Sequence, residues 1–356
     1  MNVNNDLARQ TFFQNYKNES INIELDRITN ALKNNTMHPK GVEFLKKSSL
    51  IKDLERDSLI FSNDTTCDLI VHTVYNYTKN KKLKETINNI YVGFVETKDE
   101  NPHVKIGPFF DGSRLIIIDA KTSFILDQIG EIIAIKYMSS HGYFNSLNEK
   151  FDREILQRCI QKQLNPYSED LLYEFEDLIL KNGGEKLVDN FAELISKITE
   201  TSIGFVVGHE IGHCLLNHTG YTNNVNVDHN MEIEADECGV FLVRDYLRSY
   251  DLDLSQKHLD LQICGVASSI ISMALSSGSP LLDGRSHPSI RKRYGSVIFS
   301  IQRLFGKVFA QEANKMVNWF CAESGYHQWR EIWWTLPSNY FDEIEKLIPE
   351  LEKNEE

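Results

Sequence analysis

The sequence predicts an α+β fold in which a small β-sheet precedes a set of longer helices and packs against them. Three observations support this prediction. Between residues 90 and 118, short segments rich in β-branched residues are bounded by turn residues, which is typical of strands. From Ile125 onward, helical periodicity dominates. Two helical segments, residues 209–213 and 232–236, carry several ionisable side chains in apolar surroundings. Such groups are costly to bury, so they mark a candidate site.

Composition describes an ordinary folded chain. Of the 356 residues, 41% are hydrophobic and 25% are charged, which argues against a disordered, collagenous or coiled-coil protein. The length is enough for two domains or for one elaborated domain. The formal net charge of −13 repels phosphate backbones and anionic lipid headgroups, so we expect neither nucleic acid nor a membrane surface as a partner.

Three features favour a soluble, cytoplasmic protein. The six cysteines are scattered without a C-x-x-C pair, as is typical of proteins from a reducing compartment. The first ten residues are rich in polar side chains and no apolar core follows them, so we expect no secretory signal. An uncharged stretch, residues 261–282, contains Gln262 and six serines. We interpret it as a helix buried in a protein core rather than as a membrane span.

The strand signals fall in three short segments, Ile90–Val95, His103–Ile106 and Leu115–Ile118. Each is rich in β-branched residues. Two turn signals, Gly107–Pro108 and Asp111–Gly112, separate the second segment from the third. We therefore expect these three segments to form the sheet.

Around this sheet the sequence divides into three parts. Residues 1–85 mix short amphipathic stretches with polar breaks, and they predict a helical region whose role the sequence does not define. Residues 86–300 are predicted to form the domain with the candidate site, including a helical insertion at about 127–186. Residues 301–356 predict a helical extension. The C-terminal part has four tryptophans at helical spacing, which is typical of packing anchors: Trp319, Trp329, Trp333 and Trp334.

An H-E-x-x-H pattern carries the first part of the candidate site. It lies in a long stretch of apolar periodicity, Leu187–Leu216, which predicts a buried helix. Residues four apart share a helix face, so His209 and His213 can present their imidazoles to one metal ion. Glu210 lies beside them, where it can act on a metal-bound water. A catalytic zinc needs a third protein ligand, however.

His218 does not fill that third position. The extended pattern H-E-x-x-H-x-x-G-x-x-H needs Gly and His at positions occupied here by Leu216 and Thr219. On a continuing helix, His218 is turned away from the face of His209 and His213. We expect it to be a surface or capping residue.

A second amphipathic helix supplies the third ligand. Glu232 follows His213 by nineteen residues, and the polar run Thr222–Asn230 predicts the turn between the two helices. Glu232 and Asp236 are four residues apart, so both carboxylates face the same way. Glu232 can bind the metal, and Asp236 can accept the free ring N–H of a ligating histidine. Glu234 points roughly opposite and is expected to be exposed.

These segments resemble the gluzincin metallopeptidases, in which two histidines and a glutamate hold zinc. The segments 209–218 and 232–236 carry the resemblance, and Ser286–Arg293 is similar to the His-Pro segment of M48-type peptidases. The resemblance implies a zincin-like fold, with the sheet packed against the two helices. It also implies that His287 faces the open position of the zinc, supported by Arg291 or Arg293.

The compact spacing between the two motifs differs from that of most M48-type enzymes. It is more similar to that of the ImmA/IrrE-type peptidases and of the Lit-type phage-exclusion peptidases. The ImmA/IrrE type usually has Asn where this chain has Asp236. The resemblance therefore implies a small cytoplasmic gluzincin, and a role in phage exclusion rests on that analogy alone.

The expected activity is that of a zinc-dependent endopeptidase acting on a protein or peptide. Zinc lowers the pKa of water, Glu210 serves as general base, and His287 stabilises the developing oxyanion. Leu115–Ile118 is either an edge to which an extended substrate adds as a strand or a buried member of the sheet. Two alternatives remain open: a zinc hydrolase of a non-peptide substrate, and a non-catalytic, metal-stabilised sensor or scaffold. The sequence leaves the oligomeric state undefined.

Overall fold

The computed structural model is mostly helical, with one small sheet, which confirms the predicted α+β class. It describes residues 6–17, 33, 70–72, 74–76, 81–95, 103–105, 108–141, 180, 185–218, 224–249, 259–277, 284 and 287–323. Three expectations lie largely outside these residues: the helical region over 1–85, the insertion at 127–186, and the extension over 301–356 with three of its four tryptophans.

The elements are numbered in chain order. The strands are β1 (Ile90–Val95), β2 (His103–Lys105) and β3 (Arg114–Asp119). The helices of the described residues are α1 (Asp6–Phe12), α2 (Lys81–Asn88), α3 (Ala120–Ser140), α4 (Glu185–Leu215), α5 (Val225–Ser249), α6 (Leu259–Ser277), α7 (Ile290–Phe305) and α8 (Lys307–Glu323). A π-helical turn, Phe13–Lys17, continues α1.

The sheet has the order β1-β3-β2. β1 runs parallel to β3, with Ile90 opposite Arg114, and β2 runs antiparallel to β3. β3 is therefore the central strand, and five of its six residues are buried. Of the two alternatives for Leu115–Ile118, a buried member of the sheet or an edge strand, the first is correct. The interpretation of this strand as the free edge for an added substrate strand is wrong, because both of its edges are already paired.

The helix α6 corresponds to the uncharged stretch of the sequence. Most of its side chains are buried in the main core, which confirms a core helix. Polar contacts tie it to α4: the hydroxyl of Thr201 donates to Gln262 O (3.0 Å) and that of Ser202 donates to Gly265 O (2.9 Å). Within the described residues, no helix combines the length and the apolar character needed to cross a membrane.

The N-terminal helix α1 lies against the sheet. Its Phe12 ring occupies the space that a side chain on Gly93 of β1 would need. Two residues just before β3 accept hydrogen bonds from the first turn of α1: Leu7 N–H donates to Asp111 Oδ2 (3.0 Å), and Ala8 N–H donates to Ser113 Oγ (3.1 Å). Part of the N-terminal region therefore belongs to the same packed body as the sheet.

The candidate site lies where α4, α5 and α7 meet. α4 packs against α3, α5 and α6, and α5 packs against α7. α5 begins at Val225, so the turn predicted over Thr222–Asn230 is too long. The side chain of Asn224 caps the new start, with its Oδ1 accepting from the backbone N–H of Asn226 (3.1 Å).

Candidate metal centre

Three glycines allow α4 and α5 to touch through their backbones. A Cβ on Gly208 would lie 3.1 Å from Gly239 Cα, and one on Gly212 would lie 2.9 Å from Cys238 Cβ and 3.2 Å from Ala235 Cα. A side chain at Gly212 would therefore clash with α5, and one at Gly208 would fit only if the backbone of α5 shifted by a few tenths of an ångström. This contact was not predicted from the sequence, although the four-residue spacing of Gly208 and Gly212 places both on one helix face. The contact brings the carboxylates of α5 to the histidines of α4.

The side chains of His209, His213 and Glu232 converge on one point. The two Nε2 atoms lie 3.1 Å apart, and each lies 3.6 Å from a different oxygen of Glu232. Among the described residues, this is the one group of histidine and acidic side chains whose donor atoms lie close enough together to hold a metal ion. Tetrahedral zinc, with bonds of about 2.0–2.1 Å to nitrogen and oxygen, places its ligands about 3.3 Å apart. The donor set and its spacing therefore fit zinc.

Asp236 and Arg293 orient the first of these histidines. Asp236 Oδ1 lies 2.9 Å from His209 Nδ1, while His209 Nε2 faces the cluster. Arg293 donates two hydrogen bonds to the same carboxylate, from Nε to Oδ2 (2.8 Å) and from Nη2 to Oδ1 (2.6 Å). Its Nη1 also lies 3.7 Å from Glu232 Oε2. All of these side chains are buried, so the arginine compensates the carboxylates that the site places away from water.

The electrostatic balance leaves the second histidine neutral. Burial and the neighbouring His209, His218 and Arg293 lower the pKa of His213 to about 2. Burial also opposes protonation of His209, but the hydrogen bond and charge of Asp236 outweigh it and raise the His209 pKa. Burial raises the pKa of Asp236, but the charge and hydrogen bonds of Arg293 outweigh burial and lower this pKa to about 2. A neutral imidazole offers the lone pair that a metal needs.

Glu210 is also buried at this site, with 7% of its surface exposed. Burial, which disfavours the carboxylate, raises its pKa to about 7. It is not one of the three clustered donors. Its carboxylate interacts electrostatically with His209, Glu232 and Arg293, so Glu210 lies close to the cluster without being part of it.

His287 lies beside the cluster at a partly exposed position. Its Nε2 is 3.6 Å from Glu232 Oε1, and its side chain is 49% exposed. Gly284 connects His287 to α5, because His229 Nε2 contacts Gly284 O (2.8 Å) and Gly284 N–H donates to His287 O (2.9 Å). His229 was not predicted from the sequence to contribute here, although it precedes Glu232 by three residues on the same helix face.

The two candidate arginines differ in their exposure to solvent. Arg293 is buried in the cluster, whereas Arg291, two residues earlier on α7, is exposed. The expectation that His218 lies at the surface is wrong, because its side chain is only 7% exposed and its Nδ1 lies 2.9 Å from His213 Nδ1. It is a capping residue, as the alternative expectation had it, since its backbone N–H donates to His213 O at the end of α4 (3.0 Å). Glu234 is exposed as expected, and it lies 3.2 Å from the other ring nitrogen of His218.

Comparison with known protein families places this site in context. Residues 180–311 match the family model of Peptidase U49. The matched segment contains every residue of the cluster, from His209 to Arg293, and the match supports a peptidase. The comparisons with curated proteins and with solved structures gave no match.

The backbone contact between α4 and α5 predicts a clear effect of Gly212→Ala. The added methyl group would meet Cys238 and Ala235, so we expect the free energy of unfolding to fall by about 1–3 kcal/mol. Urea denaturation of the metal-free protein measures this loss. Gly295→Ala on α7 is the matched control, because nothing lies within 4 Å of its Cβ position. We expect that change to stabilise the protein by about 0.5–1 kcal/mol. Equal effects of the two changes would contradict the close packing.

Proposed function

We propose that this protein is a zinc-dependent endopeptidase of the gluzincin type, with a zincin-like domain at residues 86–300. The observation that carries the proposal is the spacing of the three donor atoms of His209, His213 and Glu232. That spacing suits tetrahedral zinc and leaves a fourth position for water or substrate. The match of residues 180–311 to a peptidase family supports peptide hydrolysis.

Each side chain of the site has a role in this proposal. Zinc, when bound, acidifies water and polarises a carbonyl group. Glu210 takes the proton from the attacking water and passes it to the leaving amine. His287 is exposed enough to reach a substrate, and it donates a hydrogen bond to the oxygen that gains charge. Asp236 holds His209, and Arg293 holds Asp236.

The contacts support this assignment over the two alternatives. A purely structural zinc site closes its fourth position with a protein ligand, whereas the cluster in the described residues has three donors. Such a site also has no use for a buried carboxylate like Glu210. A non-peptide hydrolase could use the same donors, but the family match favours a peptide substrate. We further propose a cytoplasmic location from the dispersed cysteines, and a role in phage exclusion remains an analogy.

The proposal is tested by metal analysis and by a search for new peptide termini. The purified full-length protein should contain one zinc per chain, and a double variant His209→Ala, His213→Ala should contain none. Cells that express the wild-type protein should show new peptide termini in quantitative proteomics, and cells that express the double variant should not. A wild-type protein without zinc would contradict zinc dependence. A zinc-loaded protein that generates no new termini would favour the non-peptide or sensor alternatives.

A further inference from the structure

The C-terminal end of α4, at Leu215, is followed two residues later by a left-handed residue. Asn217 adopts the left-handed conformation (φ 56°), in which Asn is one of the better tolerated residues. The backbone N–H of His218 donates to His213 O (3.0 Å), and that of Asn217 donates to Cys214 O (3.4 Å). This pair of bonds defines a Schellman motif, which brings the residue after the left-handed position back over the last turn of the helix.

The motif places His218 directly against His213. The two Nδ1 atoms lie 2.9 Å apart, and the rings meet edge to face with centroids 5.0 Å apart. The other nitrogen of His218, Nε2, lies 3.2 Å from Glu234 Oε2 on α5. The His218 side chain is 7% exposed, whereas that of Glu234 is 58% exposed. His213, His218 and Glu234 therefore form a chain of contacts from the metal cluster to the surface.

The protons along this chain can be assigned in one consistent way. If His213 binds a metal through Nε2, its Nδ1 carries the proton and must donate it. Within the described part of the chain, the ring nitrogen that meets it is His218 Nδ1, which must then accept. A neutral His218 with an accepting Nδ1 carries its proton on Nε2, where the Glu234 carboxylate accepts it. Every donor in the chain finds an acceptor.

We propose that His218 is a positioning residue that fixes the tautomer and ring orientation of His213, with Glu234 completing the chain. His209 has a matching partner, since its Nδ1 meets Asp236. Each ligating histidine is thus held by a hydrogen-bond acceptor of its own, one from α5 and one from the end of α4. The inference rests on the proposed zinc site and adds a residue that the H-E-x-x-H and E-x-x-x-D motifs do not include.

A contact from the sheet supports the motif itself. Arg114, the first residue of β3, donates from Nη2 to Asn217 Oδ1 (3.3 Å). This bond holds the side chain of the residue whose left-handed backbone turns His218 towards the site. The sheet and the metal cluster are thereby connected through the end of α4.

Zinc affinity of matched variants tests the proposal. We expect His218→Leu, which removes the acceptor, to weaken zinc binding roughly 10- to 100-fold, measured by competition with a chromogenic chelator. His218→Asn offers an oxygen near the position of Nδ1 and is expected to recover most of the affinity. Glu234→Gln should have a smaller effect because the carboxylate is exposed. Glu193→Gln, the same change at an exposed position near the other end of α4, should have none.

A second measurement separates orientation from general stability. Nitrogen-15 NMR of the zinc-loaded wild-type protein should show His213 protonated at Nδ1 and coordinated through Nε2. Coordination through Nδ1 would overturn the proposal, as would equal zinc affinities of His218→Leu and wild type. If His218→Leu fails to fold, the tautomer in the wild type and the affinity of His218→Asn still decide the question. A wild-type protein that binds no zinc would instead refute the proposed function.

Discussion

Glu210→Gln is expected to bind zinc as tightly as the wild type and to cleave substrate about a thousand-fold more slowly. Glu210 lies beside the three donors but is not one of them, so its replacement leaves the metal site intact. Glutamine has the same shape and cannot take a proton from water. Its neutral side chain also avoids the cost of burying a carboxylate, so we expect the stability of the variant to equal or exceed that of the wild type.

Zinc content, urea denaturation and kcat/KM on the substrate identified in cells measure these three properties on one protein. Glu193→Gln makes the same chemical change at an exposed position of α4 and should leave all three unchanged. Full cleavage by Glu210→Gln would contradict its role as general base. Loss of zinc from that variant would show instead that Glu210 contributes to metal binding.

Arg293→Met is expected to lower the free energy of unfolding of the metal-free protein by about 3–5 kcal/mol. The guanidinium makes two hydrogen bonds to Asp236, which is fully buried, and lies near Glu232. Without it, the Asp236 carboxylate remains away from water without a compensating positive charge, which costs far more than the loss of a surface ion pair. Urea denaturation monitored by circular dichroism measures the change.

Arg291→Met is the matched control, since Arg291 lies two residues earlier on the same helix and is exposed. We expect its effect to stay within about 0.5 kcal/mol. The double variant Arg293→Met, Asp236→Leu removes both charges and should recover much of the lost stability. Its zinc affinity should stay low, because His209 has lost the acceptor for its Nδ1. A single Arg293→Met variant as stable as Arg291→Met would contradict this account of the ion pair.

The positions of the Arg293 and His218 side chains could not be predicted from the sequence. Arg291 and Arg293 are two residues apart, about 200° around a helix, so only one of them can face the site. Their order along the chain does not say which one, because that depends on how α7 rotates against α5. For His218, the prediction assumed that the helix continues as far as His218. The helix instead ends at Leu215 and is followed by a left-handed Asn217, an end that Asn at this position could have signalled.

In the sheet, the strands were predictable from the sequence but their order was not. The three strand segments were predictable because β-branched runs between turn residues are local signals. Their order was not, because pairing joins residues that are distant in the sequence, such as Ile90 and Arg114. The strand expected as a possible edge is therefore the central one.

Local sequence was sufficient to predict which side chains lie together at the candidate site, because the relation between His209 and His213, and between Glu232 and Asp236, depends only on the pitch of one helix. The partners that hold those side chains come from elsewhere in the chain. Which arginine joins Asp236, how closely α4 and α5 approach, and whether His218 reaches His213 depend on helix ends and helix packing. These are properties of the folded chain, since each depends on contacts between elements rather than on the period of one element.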